Sequence, residues 1–166
     1  EQEAFDIEYW LLEEAKLQRM PKEKPLSRKV AIVTGSGGGI GKAIAKKLVE
    51  EGACVVLTDL NPEWLKEAKE EFVKTFNKDI VADTLLDVTK ADSIAEAYKK
   101  AALSFGGVDI IVNCAGLAIS KPIDQTEEKD WDLLYDVLVK GQFLVSKAGV
   151  EILRKQKLGG DIINIA

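Results

Sequence analysis

A short apolar run that leads into a glycine-rich turn is the feature that most constrains this chain. Residues 29–41 read KVAIVTGSGGGIG, and an amphipathic segment follows directly at 42–51. Glycines permit a tight turn and a close approach of backbone to ligand, and the unpaired N–H groups of a helix's first turn attract anions. The order of strand, glycine turn and helix therefore predicts a binding site for the phosphates of a nucleotide. The spacing is Gly35-x-x-x-Gly39-x-Gly41 rather than the G-x-G-x-x-G of the dinucleotide-binding fingerprint.

Strand-like and helix-like segments alternate after this turn. The apolar runs are continuous rather than alternating, which is typical of parallel strands covered on both faces. The sequence predicts strands at 30–33, 53–58, 80–86, 108–113 and 161–165. It predicts helices at 41–51, 62–76, 92–105 and 127–155, the last with Gly141 and Gly149 as candidate points of interruption. The expected fold class is α/β, a doubly wound parallel sheet of the Rossmann type that is truncated after the fifth strand.

Composition excludes several classes of function. With 166 residues, 46% of them hydrophobic, the chain fits one globular domain. A net charge of −5 argues against a nucleic-acid partner, and no apolar run is long enough for a membrane span. The acidic start lacks the pattern of a secretory signal, and Cys54 and Cys114 fit buried, reduced thiols of a cytoplasmic protein. The absence of histidine excludes Ser-His-Asp and Cys-His catalysis within these residues and argues against a zinc site, and no metal ligands are predicted.

The first 25 residues are expected to be separate from the sheet. Residues 3–20 form an amphipathic pattern, and 21–25 read as a stiff, charged linker, PKEKP. Two interpretations stay open: a helix packed on its own domain, or a tether to an upstream domain. The chain begins with Glu1 rather than Met, so we expect it to be a piece of a longer polypeptide. The expected division is a helix and linker at 1–25 and the N-terminal part of a dinucleotide-binding domain at 26–166.

An acid at the end of the second strand bears on which nucleotide binds. Asp59 lies 24 positions after Gly35, where dinucleotide-binding folds place a carboxylate that accepts hydrogen bonds from the adenosine ribose. Its charge repels a 2′-phosphate, and no Arg or Lys lies among the glycines or next to it, since Leu60 and Asn61 follow. The sequence therefore favours NAD over NADP. The alternative is that Asp59 only caps the helix that begins at Pro62.

Two further strand ends reach the same edge of the sheet. Asp87 and Val88 end the third strand, where the carboxylate can accept a bond from the adenine amino group while Val88 packs on the ring. A turn-forming role for Asp87 is the alternative. The fourth strand ends in Asn113-Cys114-Ala115-Gly116, where small residues let the backbone approach a cofactor. Asn113 is expected to bond main chain across neighbouring strands.

Together these segments resemble the short-chain dehydrogenase/reductase family over residues 28–166. The resemblance implies hydride transfer between nicotinamide and a carbinol or carbonyl carbon. It also implies that a Tyr acts as general acid/base, that a Lys lowers its pKa, and that a Ser orients the substrate oxygen. The expected NAD-binding residues are Gly35, Gly38, Gly39, Ile40, Gly41, Asp59, Leu60, Asp87, Val88, Asn113, Ala115 and Gly116.

The chain departs from the family pattern in two ways. The catalytic Ser and the Tyr-x-x-x-Lys motif of the family would follow Ala166, and no tyrosine of this chain has Lys four positions later. We therefore expect weak or partial cofactor binding, no turnover, and no catalytic residue within these 166 residues. The family's helical Asn, which orders a water of the proton relay, would fall at Leu138. Leu138 continues an apolar stripe with Trp131 and Leu134, which predicts a core role for it.

A narrower resemblance concerns the two ends of the chain and the helix around Leu138. The starting segment 3–10, the linker 21–25 and the segment 137–143 resemble the dehydrogenase half of the bifunctional rhamnulose-1-phosphate aldolase/alcohol dehydrogenase proteins. This resemblance implies an upstream aldolase domain, lactaldehyde or a sugar-derived compound as the small-molecule substrate, and a homo-oligomer in the full-length protein. Two alternative functions stay open: an NAD-binding redox sensor without catalysis, and a methyltransferase.

Overall fold

Five parallel strands form one sheet in the order β3-β2-β1-β4-β5. The structure is a computed structural model that describes residues 2–19 and 23–165. Its strands are β1 Val30–Thr34, β2 Cys54–Asp59, β3 Val81–Leu85, β4 Ile110–Asn113 and β5 Asp161–Asn164. The chain runs outward from β1 to β3 and then returns to the other side of β1 at β4. The predicted doubly wound α/β fold is therefore confirmed, and the point of reversal lies between β1 and β4.

The helices that connect the strands cover both faces of the sheet. They are α2 Gly39–Glu50, α3 Pro62–Thr75, α4 Ala91–Phe105, α5 Glu128–Tyr135 and α6 Gln142–Gln156, preceded in the chain by α1 Gln2–Arg19. A π-helical turn, Asp136–Gly141, joins α5 to α6 and ends at Gly141, one of the two candidate interruptions. Gly149 is not an interruption. A Cβ there would lie 2.3 Å from Ile111 Cδ1 and 2.7 Å from the Tyr98 hydroxyl, so this glycine permits close packing.

Successive residues of β1 supply the two halves of the core. Ala31 and Val33 pack toward α2 and α3, in a cluster that includes Phe72. Ile32 packs on the opposite face, in a cluster with α4 and α6. All five β1 residues are buried, as expected for a central parallel strand. Between α4 and α6, the buried hydroxyl of Tyr98 donates to the Val145 carbonyl at 2.8 Å, and burial raises the tyrosine's pKa well above its usual range.

The helix predicted over residues 3–20 corresponds to α1. Met20 lies outside the described residues, as do Pro21 and Lys22 of the predicted linker. In the middle of α1, the apolar side chains from Tyr9 to Leu12 are exposed. None of the described helices combines the length and apolar character that membrane crossing requires.

The two cysteines differ in one respect from the expectation. Cys54 and Cys114 are free thiols, but each is half-buried rather than fully buried. Burial raises the pKa of both thiols, which keeps them protonated and weakly nucleophilic.

Candidate functional site

A cleft with a volume of about 1350 Å³ opens at the carboxyl edge of the sheet. We use "the cleft" for this space, which is lined by the glycine turn, residues 59–64, residues 86–88 and residues 114–118. These segments come from the ends of β1, β2, β3 and β4. The cleft therefore lies where open α/β sheets bind their ligands, beside the reversal of strand order.

The glycine turn ends at a helix start that is open to an anion. Gly38 is the N-cap of α2, no side chain caps the helix, and no acid lies in its first turn. The first N–H groups of α2 thus keep their hydrogen-bonding capacity and the positive end of the helix dipole. A phosphate group fits this position without competition from a neighbouring side chain.

The glycines divide into two groups by what a side chain would meet. A Cβ on Gly41 would lie 2.2 Å from the Gly35 carbonyl oxygen, and one on Gly35 would lie 2.8 Å from Ala115 Cα. These two glycines are required by the protein's own packing. In contrast, a Cβ on Gly38 or Gly39 would meet no atom within 4 Å. The space beside Gly38 and Gly39 is therefore open to a ligand.

Buried hydroxyl groups hold the turn to its neighbours. The Ser36 N–H donates to the Thr58 carbonyl at 2.9 Å, and the Thr58 N–H donates to Ser36 Oγ at 2.7 Å. On the other side, Thr34 Oγ1 accepts from the N–H groups of Cys114 and Ala115, both at 2.9 Å. No role was predicted from the sequence for Ser36, Thr58 or the Thr34 hydroxyl. In the sequence they are recognisable only as polar residues at the ends of apolar strands or just after them.

Asp59 connects the glycine turn to the loop after β2. Its Oδ2 accepts from the Gly37 N–H and its Oδ1 from the Asn61 N–H, both at 2.9 Å. Asn61, rather than Asp59, caps α3, because Asn61 Oδ1 accepts from the N–H groups of Glu63 and Trp64. The capping alternative for Asp59 is therefore wrong. Each carboxylate oxygen retains a lone pair with which it can accept a bond from a ribose hydroxyl.

Most of the charged side chains that line the cleft are acidic. Glu63 and Glu67 of α3 line it together with Asp59 and Asp87. The only Lys or Arg among its described lining residues is Lys42, which the sequence analysis had not placed at the site. Exposed apolar side chains are added by Ile40 and Leu60.

Asp87 lines the cleft but also forms the turn that was the alternative for it. Its Oδ1 accepts from the Thr89 N–H at 3.0 Å and the Thr89 hydroxyl at 2.6 Å, and its Oδ2 lies 3.1 Å from Lys90 Nζ. Partial burial raises the pKa of Asp87, but the bonds from Thr89 and Lys90 more than offset this and leave the pKa below its usual value. Val88 also lines the cleft and packs against Gly141.

Asn113 ends β4 as expected, but its side chain has different partners from those predicted. Its amide Nδ2 donates to Ser146 Oγ at 2.9 Å and to Asn164 Oδ1 at 2.7 Å, so its side chain bonds side chains of α6 and β5 rather than main chain. The residue is buried and is not among those that line the cleft. The next residues, Ala115 and Gly116, do line it. Asn113 thus supports the segment that the cofactor would contact.

The core role predicted for Leu138 is wrong. Leu138 lies in the π-helical turn with 38% of its surface exposed, and Trp131 in the same stripe is 64% exposed. A Cβ on Gly116 would lie 3.2 Å from Leu138 Cδ2, so Leu138 stands next to the end of the Asn113–Gly116 segment. Within the described parts of the chain, no group of three or more His, Cys, Asp or Glu is arranged to hold a metal ion.

Comparisons with known proteins agree with this geometry. A family model described as short chain dehydrogenase matches residues 29–166. The uncharacterized oxidoreductase YuxG of Bacillus subtilis is 40% identical over 163 residues, which are 98% of this chain and 24% of that protein. The uncharacterized oxidoreductase SAR2567 of Staphylococcus aureus is 40% identical over 85% of this chain and 59% of its own length.

Solved structures show the same fold. Apo LigO from Sphingobium sp. strain SYK-6 matches with a TM-score of 0.78 and 33% identity, over 84% of this chain and 51% of that one. A short-chain type dehydrogenase/reductase from Mycobacterium marinum matches with the same TM-score and 29% identity, over 84% of this chain and 54% of that one. The chain therefore spans about half the length of these structures. It belongs to the short-chain dehydrogenase family of oxidoreductases, whose members typically bind a nicotinamide cofactor.

Proposed function

We propose that this chain forms the cofactor-binding half of an NAD-dependent alcohol dehydrogenase site. The observation that carries the proposal is that one cleft contains both the α2 N-terminus, which no side chain caps, and the carboxylate of Asp59. The free N–H groups of α2 bind the pyrophosphate, and Asp59 accepts hydrogen bonds from the ribose hydroxyls. When bound, the nicotinamide supplies hydride transfer with an alcohol or aldehyde carbon. The residues of this chain bind and orient the cofactor.

The acids around Asp59 support NAD rather than NADP. A 2′-phosphate carries up to two negative charges and would enter a region lined by Asp59, Glu63 and Glu67. Like charges at such short range are unfavourable even where solvent screens them. The unphosphorylated ribose instead offers two hydroxyl donors to Asp59.

Titration of the chain with three ligands tests the proposal. Isothermal calorimetry and thermal unfolding should show that NAD binds weakly but measurably and raises the melting temperature. NADP should do so less, and S-adenosylmethionine should have no effect. Stabilisation by S-adenosylmethionine but not by NAD would overturn the proposal in favour of the methyltransferase alternative, which the family match already disfavours. We expect no turnover by the 166 residues alone, since they hold no Tyr-x-x-x-Lys motif.

We further propose that the chain is the dehydrogenase part of a bifunctional protein with an upstream aldolase domain. The match to YuxG supports a longer protein, because it includes the region before residue 29 and occupies about a quarter of that relative. Lactaldehyde, or a related sugar-derived compound, is then the substrate. The test is an assay of the full-length protein, which should be found in the cytoplasm. It should form NADH from NAD, or consume NADH, when lactaldehyde or the corresponding alcohol is added. A reading frame that begins at or near Glu1 would contradict the bifunctional proposal.

The homo-oligomer and the sensor alternative are tested on the same full-length protein. Exposed apolar residues on α5, the π-helical turn and α6, such as Tyr135, Val139 and Phe143, support association of copies through these helices. Light scattering that shows only monomers would contradict the homo-oligomer.

The sensor alternative rests on Leu138, which cannot hydrogen-bond a relay water. Hydride transfer by the full-length protein would exclude it.

A further inference from the structure

We infer that the ion pair between Lys42 and Glu71 is a cofactor-selecting device that withholds the cleft's cation from a 2′-phosphate. The inference rests on the proposed NAD site and concerns residues beyond Asp59. Lys42 is the single Lys or Arg among the described residues that line the cleft. Its Nζ lies 3.0 Å from Glu71 Oε2 on α3. The cation is therefore directed toward α3 instead of toward the glycine turn.

The position of Lys42 on α2 places it next to the glycine turn, in the lining of the same cleft as Asp59. The Lys42 N–H donates to the Gly38 carbonyl at 3.2 Å, so the two residues lie one helical turn apart on the same face. Gly38 has open space where a side chain would stand, and its neighbour Gly37 donates to Asp59. A Lys42 side chain released from Glu71 can extend over this space. Its ammonium group would then approach the ribose 2′ position beside Asp59.

The partner of Lys42 is the last member of an acidic row on α3. Glu63, Glu67 and Glu71 follow one another at intervals of four residues, which places them on one face of the helix. The first two line the cleft, and the third binds Lys42. Like charges four residues apart slightly destabilise a helix, so helix stability does not explain the spacing of Glu67 and Glu71. The row places negative charge along the part of α3 that borders the cleft and ends at the partner of Lys42.

Removal of the Glu71 charge tests the inference at little cost to the fold. The pair is partly exposed, with side-chain exposures of 35% and 48%, and such pairs contribute little to stability. We expect Glu71→Gln to raise affinity for NADP about threefold to fivefold, an effect typical of a released surface ion pair. Affinity for NAD should stay unchanged. Calorimetric titration of the wild-type chain and the variant with both dinucleotides measures the ratio of the two affinities.

Two further variants make the outcome specific. Glu70→Gln removes the same charge from the adjacent position of α3, which does not line the cleft, and should leave the ratio unchanged. The double variant Lys42→Ala/Glu71→Gln should lose the gain, because the gain acts through Lys42. Thermal unfolding checks that all variants are folded.

The possible results separate this inference from the proposed function. A wild-type chain that binds neither dinucleotide would refute the proposed NAD site. A wild-type chain that binds NAD, together with a Glu71→Gln ratio equal to that of Glu70→Gln, would refute only the role of the ion pair. A gain in NADP affinity that persists without Lys42 would show general loss of repulsion, and would also refute that role.

Discussion

The two sides of the cleft differ in how their polar groups are used. On the side of the glycine turn, Ser36, Thr58 and Asp59 all hydrogen-bond backbone groups of the neighbouring segment. On the side of α5, the π-helical turn contributes Val137 to the described lining of the cleft, and the adjacent Leu138 is 38% exposed. The first side is held by short polar contacts within the described chain. The second side contributes apolar surface to the cleft, and its charged residues, such as Asp130 and Lys121, pair with each other outside the described lining.

This difference indicates that hydrogen bonds to backbone groups keep the candidate cofactor site rigid on the side of the glycine turn. Bonds from Asp59 and Ser36 reach across 22 positions of sequence to fix the turn before any ligand arrives. A site that is held in place before binding loses less conformational freedom when the ligand orders it. Predictions that weaken individual contacts on each side can break or sharpen this comparison.

We expect the largest effect from Gly41→Ala. The added Cβ would lie 2.2 Å from the Gly35 carbonyl, so the turn must shift and the free energy of unfolding should fall by about 3 kcal/mol. Urea unfolding measures it. Gly38→Ala is the matched control, because its Cβ has open space and stability should not change while NAD binding weakens. Equal losses of stability in the two variants would contradict the division of the glycines.

A somewhat smaller loss is expected for Thr34→Val, which keeps the shape of the side chain. The buried hydroxyl accepts from Cys114 and Ala115, and without it two N–H groups lose their partner at a cost of about 2 kcal/mol. Thr75→Val, on the exposed surface of α3, is the control and should be nearly neutral. If chemical denaturation finds Thr34→Val as stable as the wild type, the turn is not held by this hydroxyl.

Asp59→Ala should weaken NAD binding by about 1–2 kcal/mol through the lost ribose bonds. It should also lower stability, since Gly37 and Asn61 lose their acceptor. Calorimetry and thermal unfolding separate the two effects. The control Asp79→Asn removes a charge outside the cleft and should leave affinity unchanged. Unchanged affinity in Asp59→Ala would contradict the assignment of Asp59 to the ribose.

The smallest effect concerns pH on the side of α5. Hydrogen bonds from Lys121, at 2.5 Å, and from the Glu127 N–H hold the pKa of Asp130 below its usual value. A carboxyl with a lowered folded pKa contributes stability above its unfolded pKa, near 3.9, and loses it as the pH falls through the folded value. NMR titration should show a low Asp130 pKa that rises in Lys121→Gln. An identical pKa in both proteins would remove Lys121 as the cause.

Much of the fold could be predicted because its signals are local. Continuous apolar runs indicated the five strands, and amphipathic spacing indicated the helices between them, to within a few residues at their ends. The glycine turn was recognisable because strand, turn and helix start are adjacent in the chain. The same adjacency placed Asp59 and Ala115 at the carboxyl edge, once the strands were taken as parallel.

The use of individual polar atoms could not be predicted. Asn113 was expected to bond main chain, yet it bonds Ser146 and Asn164, which lie 33 and 51 positions away. One carboxylate oxygen of Asp87 accepts a hydrogen bond from Thr89, and Lys42 donates to Glu71, 29 positions away. Hydrogen-bond partners are chosen by distances of about 3 Å in the folded chain, and no periodic pattern encodes such distances.

The sequence by itself determined the class of the protein, a parallel α/β sheet with a glycine-rich first turn, and it placed Asp59 with that turn at the carboxyl edge of the sheet. These properties depend on glycine's freedom near Gly35 and Gly39 and on hydrophobic periodicity, which act within short segments. Only the tertiary structure decided that Asn113 supports rather than lines the cleft, that Leu138 is exposed, and that Lys42 is held by Glu71. The reason is that burial and pairing are properties of the packed chain, set where distant segments meet.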